Sequence, residues 1–267
     1  MRFDTHAHVF ALGLPLAENC RYVPDYSATP EQYLDHLDQH GIDAGILVQP
    51  SFLGTDNHYM LEALRRYPGR FYGVAVVDTA ITIAEMQEMR EAGVIGIRLN
   101  LIGLPLPDFQ TAAWQTLLGH VNDLGWHVEL HRSARDLPPL IGPLLAAGVK
   151  VVVDHFGLPS ETDKAQDEGF RYLLTLAASR RVWVKISASY RNGSCQNSAQ
   201  NILPLLPPLL AAFSPDRLLW GSDWPHTRFE DRMSYPQVCH EFQQWPLTEE
   251  QRDIILQTSA EQLIHQK

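Results

Sequence analysis

The chain has 267 residues and a net charge of −10; 45% of its residues are hydrophobic and 19% are charged. This length fits one large α/β domain spanning residues 1–267, and the hydrophobic fraction excludes a disordered chain. No run of lysine or arginine is long enough to follow phosphates, so nucleic acid is not expected as a partner. No apolar stretch approaches the ~20 residues of a membrane span. Because the net charge is negative, an anionic ligand must bind where positive charge is concentrated locally.

The cysteines also bear on where the chain resides. There are three, Cys20, Cys195 and Cys239, far apart and odd in number. This pattern predicts reduced thiols in a cytoplasmic protein rather than a disulfide framework. The opening residues MRFDTHAH lack the apolar segment of a secretory signal peptide, which favours the same compartment.

Eight strand-like stretches follow one another along the chain. They are RFDTHAHVF, AGILVQP, FYGVAVVD, IGIRLNL, HVELH, VKVVVDH, VWVKIS and RLLWGSD. Several are near-continuous runs of valine, isoleucine and leucine, which is typical of parallel strands buried on both faces.

Segments with helical periodicity lie between these stretches. Thr29 and Gln32 have the spacing of a capping box, and Gly41 marks the end of the first predicted helix. The same spacing recurs at residues 82–85 and 248–251. We therefore predict helices that begin just after each of these threonines.

Eight strand-then-helix units predict a (β/α)8 TIM barrel. The alternative is a doubly wound open sheet, which calls for a glycine-rich phosphate-binding turn after the first strand. The stretch HAHVFALGLP stands there instead and is not such a turn. The proline-rich segment 11–30 is expected to fold over the mouth of the barrel.

Chemically active side chains collect at the predicted strand ends, where barrel enzymes carry their active sites. They are His6, His8, Ser51, Arg98, Asn100, His131, His155, Arg191, Asp223 and His226. Two histidines at i and i+2 of a strand point the same way, so His6 and His8 can converge on one atom. In the sixth stretch, the alternation groups His155 with Val151 and Val153 on the inward face.

Charged residues are also predicted inside the barrel. Arg98 and Asn100 alternate with residues that should face the helices, so both are predicted to point inward. An inward arginine needs an anion, because an unpaired buried charge is very costly. Lys185 and Glu129 fall one layer below the mouth on odd-numbered strands, which predicts an ion pair between them.

Several of these stretches carry a resemblance to a known family. DTHAHVF, RYVP, VQPSFLGTDN, GIRLN, VVVDHFGLP and WGSDWPH resemble the amidohydrolase superfamily in its amidohydrolase-2 branch. Within that branch they are most similar to the lactonases of 2-pyrone-4,6-dicarboxylate and related rings. The stretches run from residue 4 to residue 226, so the resemblance covers most of the chain.

The resemblance implies the hydrolysis of a cyclic ester (a lactone) of a small carboxylated ring. It implies that Asp223 activates water, with His6, His8 and His155 around the reacting carbonyl. It further implies substrate-binding residues: Arg98 and Arg191 as carboxylate clamps, with Tyr22 and Ser51 as further contacts. Asn100 and His226 are added to this set because they too are predicted to lie at the mouth. The expected partner is a small anionic lactone.

One position departs from the lactonase pattern. Those enzymes have a tyrosine at the end of the fifth strand and work without a metal, whereas this chain has His131. Four imidazoles and a carboxylate suit one divalent ion, zinc above all. We predict such an ion on some of His6, His8, His131 and His155, together with Asp223. The alternative is a metal-free site whose imidazole N–H groups donate directly to the substrate carbonyl.

Two other functions remain open at this point. One is a metal-dependent decarboxylase of the same superfamily, which would release CO2 instead of an acid equivalent. The other is an inactive barrel that only binds a ligand, which the intact HxH pair, His155 and Asp223 disfavour.

Overall fold

A computed structural model describes residues 1–18 and 20–265 of the chain. Its sheet has eight parallel strands in sequential order, β1 Phe3–Ala7, β2 Ala44–Val48, β3 Phe71–Ala75, β4 Val94–Asn100, β5 His127–His131, β6 Lys150–Val153, β7 Val182–Ser187 and β8 Leu218–Gly221. Each predicted stretch contains one strand. The (β/α)8 barrel is confirmed, and the open doubly wound sheet is excluded.

The barrel closes where the first strand meets the last. The backbone N–H of Asp223 donates to the carbonyl of His6 at 2.8 Å, and the N–H of His8 donates to the carbonyl of Trp224 at 2.8 Å. These bonds join the segment after β8 to the end of β1. Residues 6, 8 and 223 are therefore held against each other by the backbone itself.

Helices cover the outside of the barrel. They are α1 Pro30–Gln39, α2 His58–Arg66, α3 Ile83–Ala92, α4 Ala112–Asp123, α5 Pro138–Ala146, α6 Glu168–Thr175, α7 Ser198–Asn201, α8 Leu206–Phe213, α9 Tyr235–Gln244, α10 Glu249–Asp253 and α11 Ser259–His265. A π-helical turn, Ile254–Thr258, joins the last two. The capping boxes predicted at Thr29, Thr82 and Thr248 are all present, and each supplies partners for otherwise unpaired N–H groups.

Apolar side chains close the bottom of the barrel. Phe3, Val152, Trp183 and Leu219 form a buried cluster with Leu263 of α11. The cavity lined by the predicted site residues lies at the opposite end, at the carboxyl ends of the strands.

Two expectations about the chain's surroundings can be compared with the structure. Cys20, Cys195 and Cys239 are free thiols, as predicted. In residues 1–18 and 20–265, no helix has the length and apolar character needed to cross a bilayer. The cytoplasmic location stays a prediction.

Candidate active site

A cavity of about 430 Å³ opens at the carboxyl ends of the strands. The predicted site residues on its wall are His8, Tyr22, Ser51, Arg98, Asn100, His131, His155, Arg191 and Asp223. Tyr22 comes from the segment predicted to fold over the mouth. The two remaining predicted residues, His6 and His226, are buried outside this lining.

Asp223 lines the cavity, and its two carboxylate oxygens have different surroundings. Oδ2 accepts hydrogen bonds from the Tyr190 hydroxyl at 2.5 Å and from the Arg191 Nε at 2.7 Å. Oδ1 faces the Nε2 atoms of three histidines, His6 at 3.7 Å, His8 at 3.7 Å and His155 at 3.9 Å. One oxygen is thus fixed by donors, and the other is directed at the imidazoles.

Asp223 is held as a carboxylate. Burial by itself would raise its pKa, but the Arg191 guanidinium outweighs burial and holds the pKa well below the usual 3.8. Its backbone is left-handed, with φ of 60°. A non-glycine residue in that region carries strain, which is frequent at functional sites.

The facing imidazoles are neutral. Burial lowers the pKa of His155 to about 4 and that of His6 well below 6.5. His8 has a defined tautomer, because its Nδ1 lies 2.7 Å from the carbonyl oxygen of Val48, which can only accept. The proton of His8 is therefore on Nδ1, and the lone pair of Nε2 points toward Asp223.

A network of buried charges lies beneath the histidines. Lys185 pairs with Glu129, which confirms the predicted ion pair, and its Nζ lies 3.0 Å from Nδ1 of His6. Arg98 donates to Asp154 at 3.1 Å, and Nδ1 of His6 is 3.4 Å from the same carboxylate. The anion that the inward Arg98 requires is thus supplied by the protein.

The strand phase predicted for the sixth stretch is wrong. Val151 and Val153 pack in the outer core among helix residues, whereas Val152 belongs to the cluster inside the barrel. His155 reaches the cavity because the chain leaves β6 in a left-handed conformation, with φ of 49° at His155 and 59° at Phe156. A strict alternation cannot predict a side chain that follows such a turn.

Two predicted substrate contacts are placed differently from the expectation. The Tyr22 hydroxyl donates to Glu230, so the ring of Tyr22 rather than its hydroxyl is left for the cavity. Burial and Glu230 raise the pKa of Tyr22 to about 12. His226 lies behind Tyr190, with its Nδ1 3.1 Å from the Tyr190 hydroxyl. This position supports the donor to Asp223 and does not reach a ligand directly.

His131 lies on the cavity wall, but Arg98 restricts what it can offer. The Nη2 of Arg98 is 3.3 Å from Nδ1 of His131. A guanidinium only donates, so this contact uses the lone pair of Nδ1 and leaves the proton on Nε2. Burial and Arg98 also lower the pKa of His131 well below 6.5. In this arrangement His131 is a hydrogen-bond donor toward the cavity.

The sequence reasoning missed several residues of the site. Arg21, Tyr190 and Arg228 line the cavity, and Asp154 lies directly beneath it. The sequence did carry a signal for Asp154, because this acid ends the run VVVD and functional residues were predicted at the ends of strands. The other three lie in loops, where alternation gives no direction.

Three groups of side chains could hold a metal ion among the described residues. They are His6–His155–Asp223, His131–Asp154–His155 and His6–Glu129–Asp154, each with ligand atoms within 4.8 Å of one another. The first group fits best, because the Nε2 of His6 is buried without a hydrogen-bond partner in the described chain. Glu129 and Asp154 of the other groups are already paired with Lys185 and Arg98.

The sequence profile of the amidohydrolase family matches residues 3–265. The chain belongs to this family. The resemblance found in the sequence is therefore confirmed, and with it the assignment as an enzyme of the amidohydrolase type, whose members typically use a metal ion.

Relatives within the family include two named lactone hydrolases. The 2-pyrone-4,6-dicarboxylate hydrolase of Comamonas testosteroni is 34% identical over 244 residues, covering 86% of this chain and 78% of the relative. The 4-sulfomuconolactone hydrolase of Hydrogenophaga intermedia is 30% identical, covering 88% and 78%. A probable 2-pyrone-4,6-dicarboxylic acid hydrolase of Acinetobacter baumannii, solved with citric acid bound, superimposes with a TM-score of 0.95 at 37% identity over 98% of both chains.

Proposed function

We propose that this amidohydrolase opens the lactone of a small carboxylated ring similar to 2-pyrone-4,6-dicarboxylate. One observation carries the proposal: an ionised carboxylate, Asp223, keeps one free oxygen directed at neutral imidazoles in a cavity lined by arginines. Lactone hydrolysis needs a base for water, donors for the developing oxyanion and a grip on the substrate's acid groups. The names of the relatives agree with this reaction.

In this proposal Asp223 is the general base. Its Oδ2 is occupied by Tyr190 and Arg191, so Oδ1 is the atom that accepts the proton of water. The water oxygen bonds to the lactone carbonyl carbon, and the ring C–O bond breaks. The proton taken by Oδ1 then goes to the departing ring oxygen, so that one water is added and an acid is released.

His6 has two ways of acting, which its neighbours define. If Nδ1 accepts from Lys185 at 3.0 Å, the proton resides on Nε2 and can be donated to the developing oxyanion. If Nδ1 instead donates to Asp154 at 3.4 Å, Nε2 offers a lone pair. The first state suits a metal-free site, and the second suits a metal ligand.

The donor chemistry of the site fits one divalent ion, with zinc the best match to imidazole and carboxylate. We propose His6, His8, His155 and Asp223 as its ligands. His131, also a ligand candidate from the sequence, offers an N–H to the cavity as long as Arg98 occupies its Nδ1. When bound, such an ion lowers the pKa of water and polarises a carbonyl. His155 is ready for this role, because its Nδ1 lies 2.8 Å from the Ser187 hydroxyl and leaves Nε2 toward Asp223.

One carboxylate of the substrate is assigned to Arg98 and Arg191. Arg98 and Arg191 each use part of the guanidinium on an internal carboxylate and line the cavity with the rest. A guanidinium has five N–H donors, so a second, external carboxylate can be bound at the same time. Ser51, Asn100 and the ring of Tyr22 complete the proposed binding surface.

A panel of lactones tests the proposal. Purified enzyme is mixed with 2-pyrone-4,6-dicarboxylate, its monocarboxylated analogues and uncharged lactones, and acid release is followed by pH-stat. We expect one acid equivalent per turnover, with the carboxylated rings preferred and no CO2 formed. The Asp223→Asn variant serves as the control for catalysis by this site. Release of CO2 would identify a decarboxylase. Binding of the lactones without any turnover would contradict the proposed hydrolysis.

A further inference from the structure

The charges on the cavity wall are unbalanced. The charged residues that line it are Arg21, Arg98, Arg191, Arg228, Glu161 and Asp223. Arg191 pairs with Asp223 at 2.7 Å, and Arg98 pairs with Asp154 behind the wall. Within residues 1–18 and 20–265, neither Arg21 nor Arg228 has a carboxylate within ion-pair distance. With these pairs set aside, the wall keeps two positive charges, Arg21 and Arg228, against one acid, Glu161.

Both side chains are anchored by neutral groups. Arg21 donates to the carbonyl of Ile102 and to Oδ1 of Asn100 at 3.1 Å. Arg228 donates in turn to the carbonyl of Arg21. Partial burial and the nearby Arg228 and Arg98 lower the pKa of Arg21. Carbonyl and amide oxygens thus hold the two guanidinium groups near each other. Among the described residues, no carboxylate forms an ion pair with either of them.

We propose that Arg21 and Arg228 form a second anion subsite, which binds an oxyanion group of the substrate remote from the reacting carbonyl. The ligand class is a planar ring acid whose second acidic group is a carboxylate or a sulfonate, since both present oxygens to a guanidinium fork. Bridging the pair relieves their mutual repulsion, a gain that an uncharged substrate cannot provide. The proposal rests on the proposed function and names which end of the substrate the mouth recognises.

The subsite is also connected to the base. Arg228 lies in the loop that begins with Asp223, and both residues are left-handed, with φ of 71° and 60°. The N–H of His226 donates to the carbonyl of Asp223, and the N–H of Phe229 donates to that of His226, each at 2.7 Å. An anion held by Arg228 therefore steadies the loop that carries the base. We expect the remote acid group to raise kcat as well as to lower KM.

Binding of unreactive ring acids tests the subsite without turnover. The probes are isophthalate and 3-sulfobenzoate, each with two acidic groups, and benzoate with one, measured by isothermal titration calorimetry. The variants are Arg21→Gln and Arg228→Gln. Arg90→Gln is the matched control, because Arg90 is an exposed arginine of α3 outside the cavity. Thermal melts of all variants report whether the fold is kept.

We expect each cavity variant to weaken the binding of at least one of the two diacids by about 10-fold or more, because a charged hydrogen bond is lost. Benzoate affinity should stay within about twofold, and the control should bind like the parent. The diacid that loses more identifies carboxylate or sulfonate as the preferred group. Equal losses for benzoate and both diacids, or no loss, would overturn the subsite.

The kinetic arm separates this inference from the proposed function. With a diacid lactone, Arg228→Gln should lower kcat, whereas a monoacid lactone should be turned over at nearly the parent rate. A protein that hydrolyses no lactone but keeps the diacid preference would contradict the proposed function alone. Normal hydrolysis with unchanged discrimination between diacid and monoacid lactones would contradict the subsite alone.

Discussion

Replacing Tyr190 by phenylalanine removes a single hydroxyl that lies 2.5 Å from Oδ2 of Asp223. The ring stays, and so does its packing against Phe229. The carboxylate then keeps Arg191 as its remaining donor on that oxygen. A hydrogen bond to a charged group contributes about 1.5–3 kcal/mol, so the ionised form of Asp223 loses roughly that much stabilisation. At neutral pH the carboxylate stays ionised, so we expect kcat/KM there to fall only as far as the lost donor loosens the position of the base.

The same loss has a definite sign in the pH profile. The hydroxyl stabilises the ionised form, so its removal raises the pKa of Asp223. The acid limb of kcat/KM should therefore move to higher pH. Initial rates of lactone opening, followed from pH 8 down to the lowest pH at which the parent stays folded, measure both effects. Tyr172→Phe, which alters a half-buried tyrosine outside the cavity, is the matched control. A Tyr190→Phe enzyme with the parent's rate and profile would show that Arg191 alone positions the base.

The remaining predictions address the base, the clamp, the metal and acid stability. Asp223→Asn should reduce kcat by at least about 100-fold while circular dichroism shows the fold intact, and a rate above half the parent's would exclude it as the base. Arg98→Lys keeps a charge for Asp154 but loses the fork, so KM for a carboxylated lactone should rise about 10-fold while an uncharged lactone is unaffected; equal losses would make Arg98 purely structural. Elemental analysis of enzyme purified without chelator should find about one divalent ion per chain, and less than about a tenth with full activity in chelator would leave the imidazoles as direct donors. The pKa of His155 and that of His226 are both lowered to about 4 by burial, so the unfolded chain binds more protons below the ordinary value of 6.5. Each should therefore reduce the free energy of unfolding by about 2 kcal/mol between pH 7 and pH 5, and His226→Gln should lessen the total loss measured in urea titrations by about that amount.

The fold and much of the cavity wall were predictable because they depend on local patterns. Strand runs, capping boxes and the rule that barrel sites lie at strand ends need only neighbouring residues. Arg98 and Lys185 followed from alternation within one strand. The same alternation failed at His155, where a left-handed turn after β6 redirects the side chain.

What escaped prediction depends on distant parts of the chain. The bond from Arg228 to Arg21 joins residues 207 positions apart in two loops. Nothing in either loop's sequence indicates the other as a partner. The partner of Arg98 shows the same limit from another side: an inward arginine predicts an anion, but not whether a substrate or Asp154 supplies it. These contacts depend on how distant parts of the chain pack together, whereas the sequence patterns report only on neighbouring residues.

The closure of the barrel has a consequence for how activity arises during synthesis. The backbone bonds between residues 6 and 223 and between residues 8 and 224 form only after the eighth strand has been made. A nascent chain that carries seven strands has its histidine pair but no base, so it is inert toward any lactone. Catalysis thus begins when the ring closes, and the first turnover of a newly made molecule reports that its two ends have met. A circular permutant with its new termini in a loop far from these residues would keep the backbone bonds between the two segments. New termini between β8 and Asp223 would instead detach from β8 the segment that forms them.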